Sequence, residues 1–75
     1  MSDVQYDILK TYGILSEEKS GWRKEFNLVA WNGRPPKFDL RDWAPDHGKM
    51  GKGITLTKEE AEKLRDLLQK ATLDP

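Results

Sequence analysis

Seventy-five residues, 36% hydrophobic and 35% charged and without cysteine, make one small domain that neither disulfides nor a zinc cluster can staple, and a chain this short buries only about 60% of its unfolded surface. Thirteen Lys and Arg balance thirteen Asp and Glu, and no apolar run approaches the roughly 20 residues of a membrane-spanning helix. Composition thus excludes a membrane-spanning helix and a disulfide scaffold, and it predicts a soluble chain whose thin stability favours self-association.

The start, Met1-Ser2-Asp3-Val4-Gln5, has neither the basic end nor the apolar core of an export signal. With no cysteine to protect, the expected location is the cytoplasm. Val4–Leu15 mixes β-branched, aromatic and polar residues and reads as a first strand. The adjacent apolar pair Ile8-Leu9 breaks its alternation, which predicts a bulge or burial on both faces. After the polar turn Ser16–Gly21, residues 22–31 alternate clearly. Trp22, Lys24, Phe26, Leu28 and Ala30 share one face, and Arg23, Glu25, Asn27, Val29 and Trp31 share the other.

Asn32-Gly33 is a strong hairpin signal, because both residues tolerate positive φ. Pro35-Pro36 lengthens that loop, and Lys37–Trp43 alternates as a third strand. Phe26, Leu28, Phe38 and Leu40 are expected to point inward, with Arg23, Asn27, Trp31, Lys37 and Arg41 outward. Lys49–Leu56 reads as a fourth strand. From Thr57 the period becomes helical: Thr57 and Glu60 form a capping box, and Ala61, Leu64, Leu67, Leu68 and Ala71 form an apolar stripe. The fold class is therefore α+β, a four-stranded antiparallel sheet followed by one C-terminal helix (ββββα). One helix over one sheet leaves part of the stripe Leu64, Leu67, Leu68 and Ala71 uncovered, which predicts a homodimer.

Charge is unevenly spread. Residues 21–53 hold seven cations against four carboxylates, a net of +3, while the segments on either side are net negative. Within this basic stretch Trp31 and Trp43 are interleaved with Arg34, Lys37 and Arg41. Unpaired nucleic acid asks for that combination, because bases stack on rings while cations neutralise phosphates. Trp31, with outward parity at the hairpin tip, is the first candidate for stacking. Trp43 ends its strand with the same parity and is the second, unless it folds over the edge of the core. Trp22 has core parity and reads as structural. Arg41 is the leading cation. Arg23, Lys37, Lys49 and Lys52 are candidates to line the same surface, Lys24 only by snorkelling, and Asn27 and Arg34 complete the expected interface.

Two other motifs fall short of their familiar readings. Gly48–Gly53 lacks the spacing of a phosphate loop and enters a strand, not a helix; its glycines are expected to let a backbone or a nucleic-acid strand approach closely, with Lys49 and Lys52 as phosphate contacts. His47 beside Asp46 has no further catalytic partner and reads as a turn residue, so no enzyme, cofactor or metal is expected.

Trp31-Asn32-Gly33, Phe38-Asp39-Leu40-Arg41 with Trp43, and Gly51-Lys52-Gly53-Ile54-Thr55-Leu56 running into the helix occur in an order that resembles the C-terminal domain of the transcriptional coactivator called positive cofactor four, in its bacterial YdbC-like branch. The resemblance covers nearly the whole chain, although Pro35-Pro36 alters the hairpin. It implies a homodimer of ββββα subunits with helices at the interface and curved sheets that bind single-stranded DNA with little sequence preference, near the bacterial nucleoid. It also implies that Trp31 and Trp43 stack on bases and that Arg41 and Lys52 contact the nucleic-acid backbone. RNA binding, or protein docking through the same aromatic and basic surface, is the alternative.

Overall fold

A computed structural model describes residues 4–73; Met1, Ser2 and Asp3 of the expected leaderless start, and Asp74 of the charge pattern, lie outside them. The strands β1 (Tyr6–Glu17), β2 (Arg23–Trp31), β3 (Lys37–Trp43) and β4 (Met50–Leu56) form one antiparallel sheet in that order, and α1 (Lys58–Lys70) follows. A single 3-10 turn, Pro45–His47, interrupts the β3–β4 connection. The ββββα order expected from the alternation is the fold.

Local chemistry explains the joints. Asn32 (φ 52) and Gly33 (φ 73) take the left-handed values that a tight hairpin needs, and Arg34 N–H donates to the Trp31 carbonyl at 2.9 Å. Gly21 (φ 94) turns β1 into β2. At the helix start Glu60 N–H donates to Thr57 Oγ1 at 3.1 Å and Thr57 N–H to Glu60 Oε1 at 2.8 Å, closing the capping box. Glu59 and Glu60 in the first turn and Lys70 in the last oppose the helix dipole.

β1 begins and ends two residues later than its sequence pattern suggests, and it carries three register shifts against β2: Ile8/Lys10, Thr11/Gly13 and Ile14/Ser16. The first is the irregularity signalled by Ile8-Leu9. A fourth shift separates Arg41 and Trp43 in the β3–β4 pairing. Each bulge adds twist and bends the strand, and together they coil the sheet strongly. β4 packs its glycines against neighbouring backbone: a Cβ at Gly53 would lie 2.7 Å from Arg41 Cβ, and one at Gly51 would lie 3.0 Å from the Asp42 carbonyl oxygen and 2.9 Å from Trp22 Cζ3. Of the two partners expected to approach this segment closely, the sheet's own backbone is the one that does so here, and Trp22 lies against Gly51.

One sheet face is apolar. Phe26 and Phe38 stack with centroids 5.9 Å apart, and Tyr12 lies 5.2 Å from Phe26 and 5.8 Å from Phe38. The helix lies over this face beside an open cleft of about 620 Å³ whose apolar lining includes Phe26, Phe38, Leu56, Ala61, Leu64 and Leu68. These residues are at most half-buried, and Leu67 and Leu68 remain 55% and 50% exposed.

Candidate nucleic-acid interface

On the opposite face the expected sidedness holds and the expected exposure does not. Glu25, Asn27, Val29, Asp39 and Trp43 share the outward parity, yet these are the buried residues among those described. Sheet curvature is the reason. Trp43 pairs with Arg23, eight residues along β2 from Trp31, a separation of roughly 26 Å in a flat strand. Tyr6, the partner of Trp31 on β1, nevertheless reaches within 5.2 Å of Trp43, ring centroid to centroid. The coiled strands close this face on itself, so its polar side chains become an interior.

That interior is built from two charged groups of residues. Arg41 donates from Nε to Asp39 Oδ2 at 2.9 Å, from Nη2 to Asp39 Oδ1 at 3.0 Å, and from Nη1 to the Gly51 carbonyl at 3.0 Å. Thr55 Oγ1 donates to Asp39 Oδ1 at 3.0 Å. The fork satisfies a carboxylate that is otherwise wholly removed from water. Glu25 accepts from Arg23 Nη2 at 3.2 Å and from Asn27 Nδ2 at 3.1 Å, and His47 Nε2 lies 3.0 Å from both of its oxygens. Burial pushes the Glu25 carboxyl up, but the hydrogen bonds of His47 and Asn27 and the charges of His47 and Arg23 outweigh it and hold the pKa below its ordinary value.

His47 was not legible as part of this arrangement. It lies 22 positions beyond Glu25, and it reaches the carboxylate because both Asp46 and His47 adopt φ 56, a left-handed pair that folds the loop back over the sheet. Its ring also packs on Trp43 at 4.7 Å. A turn residue by sequence, it is a cross-link between the β3–β4 loop and β2.

The aromatic residues are correspondingly arranged. Trp31 is half-buried, with Tyr6 at 5.9 Å and the Arg41 guanidinium over its ring at 5.2 Å. Trp43 is 1% exposed beneath Tyr6 and His47; of the two placements its sequence allowed, the inner one is adopted. Asn27, expected to face outward, is fully buried for the same reason of curvature. Among the described residues Asn27 Oδ1, Trp31 Nε1 and Trp43 Nε1 are buried without a hydrogen-bond partner.

Among the expected cations, Arg34, Lys37, Lys49 and Lys52 are exposed, Arg23 and Arg41 are turned towards carboxylates, and Lys24 lies on the other face, 3.8 Å from Asp42. This division sharpens the local charge. Glu25 and Asp39 are buried and paired, and Asp42 faces Lys24, which leaves Asp46 as the exposed, unpaired carboxylate of residues 21–53 against four exposed, unpaired cations. Among the described residues no group of three or more His, Asp or Glu converges as a metal site, and no helix is long and apolar enough to cross a membrane.

Comparison with known proteins brings two findings. The model of the family described as Transcriptional Coactivator p15 (PC4) matches residues 18–67. An uncharacterised protein of Treponema pallidum (strain Nichols) is 49% identical over 73 residues, covering 97% of this chain and 86% of that protein.

Proposed function

This chain belongs to the PC4 family, which is associated with single-stranded DNA binding and transcription coactivation, and from that membership we propose a non-enzymatic, homodimeric single-stranded DNA-binding protein with little sequence preference, acting in transcription, replication or repair. The observation that carries this reading is Trp31: a half-buried ring backed by Arg41 and Tyr6 on a chain segment whose unpaired exposed charges are mostly Arg34, Lys37, Lys49 and Lys52. A ring already held on one side by a cation and an aromatic neighbour loses little freedom when a base stacks on it. The exposed cations stand as phosphate contacts. Arg41 backs Trp31, Asn27 and Trp43 belong to the buried interior of the same face, and Lys24 is left out.

Self-association belongs to the same proposal. The half-open cleft under α1 and the exposed Leu67 and Leu68 supply an apolar face that a second copy covers. The test is fluorescence anisotropy of labelled single-stranded DNA, single-stranded RNA and duplex of equal length at two salt concentrations. Tight, salt-sensitive binding to single-stranded DNA over duplex supports the reading. Absence of binding at low salt overturns it, and a preference for the RNA strand reassigns the ligand.

A further inference from the structure

Trp43 has little accessible surface to offer a base, since Tyr6 and His47 lie against it and it is 1% exposed. The aromatic side chain that reaches the surface beside Trp31 is Tyr6, half-buried, with its ring 5.9 Å from Trp31 and tilted by 49°. We infer that Tyr6 is a second base-contacting residue of the nucleic-acid surface, taking the place that Trp43 vacates by turning inward. The inference rests on the proposed single-strand binding.

Two observations converge on it. Tyr6 is fixed by backbone pairing with Trp31, so the two rings sit side by side across β1 and β2 at an angle that offers two adjoining aromatic faces. A cleft of about 470 Å³ opens beside it, lined by Val4, Gln5, Tyr6, Asp7 and the hairpin residue Gly33. This lining has one carboxylate and no cation, which suits an uncharged base and disfavours a phosphate. β1, Tyr6–Glu17, lies outside the family match at residues 18–67, so the contact is an addition made by this chain's first strand to the part matched by the family.

The experiment compares Tyr6→Leu, Tyr6→Phe and Trp31→Ala, each titrated into a labelled oligothymidylate, with thermal unfolding of every variant. Loss of a stacked ring predicts that Tyr6→Leu weakens binding roughly 5-fold or more at a near-native unfolding midpoint, and that Tyr6→Phe retains most of the affinity. Wild-type affinity in Tyr6→Leu, with weakened Trp31→Ala, overturns the role of Tyr6 and leaves the single-strand reading intact. No binding by the wild type removes both. If Tyr6→Leu does not fold, photocross-linking of the wild type to a bromodeoxyuridine-substituted strand decides: an adduct on Tyr6 supports the contact, and adducts confined to other residues overturn it.

Discussion

Arg41 illustrates how a residue chosen for one reason serves another. From sequence it is the leading phosphate contact; in the fold its side chain is 15% exposed and its fork is spent on Asp39 and the Gly51 carbonyl. Arg41→Lys separates the two roles, because Lys keeps the charge and loses the two-pronged geometry. If the fork holds Asp39, the substitution lowers stability by about 1.5–3 kcal/mol in urea unfolding and leaves the salt dependence of DNA binding unchanged. Unchanged stability would contradict the structural role. Glu25 makes a second prediction at this scale. Its folded pKa lies below the ordinary 4.5, so its contribution to stability is fully present above that value and is lost as pH falls through the folded one. Urea midpoints from neutral to acid pH should therefore decline in the wild type. Glu25→Gln should be less stable at neutral pH and decline less steeply; an equal decline would show that other groups carry the acid sensitivity.

At the level of elements, the alternation of β2 and β3, the Asn32-Gly33 turn and the Thr57/Glu60 box were all legible, because each depends on residues close in sequence. The curvature was not. The apolar doublets Ile8-Leu9 and Ile14-Leu15 mark two of the three shifts in β1, but a doublet marks a place and not the bend made there, and Thr11/Gly13 lies without such a mark in a largely exposed strand. Without that curvature, parity correctly sorts residues onto faces but gets wrong which face is buried. Asn27 and His47 show the cost: one looks solvent-facing and the other looks idle, although both hold Glu25. β4 depends on its glycines for the same tight coil. Gly53→Ala would place a methyl carbon 2.8 Å from Arg41 Cα, and we expect a loss of about 1–3 kcal/mol by overpacking, measured by denaturant unfolding. A neutral effect would mean that β4 can move away from β3 without cost.

The whole molecule divides its labour between two faces. Charge pairing and aromatic packing close the curved polar face, whereas the apolar face under α1 remains half open. Leu68→Asp tests whether a second copy covers it. Leu68 is already 50% exposed in the single chain, so the fold should survive. Self-association should weaken by about 1.5–3 kcal/mol, on the order of 10- to 150-fold in Kd, with DNA affinity falling alongside in sedimentation and anisotropy measurements. A monomeric variant with full affinity would uncouple dimerisation from binding.

The most direct test of Trp31 as the stacking surface is to follow the indole N–H signals of the three Trp residues by NMR during titration with single-stranded DNA. Stacking predicts that the Trp31 signal shifts most, with Trp43 responding less from beneath Tyr6 and Trp22 least. A Trp31 signal that stays unmoved while the strand binds elsewhere would contradict it.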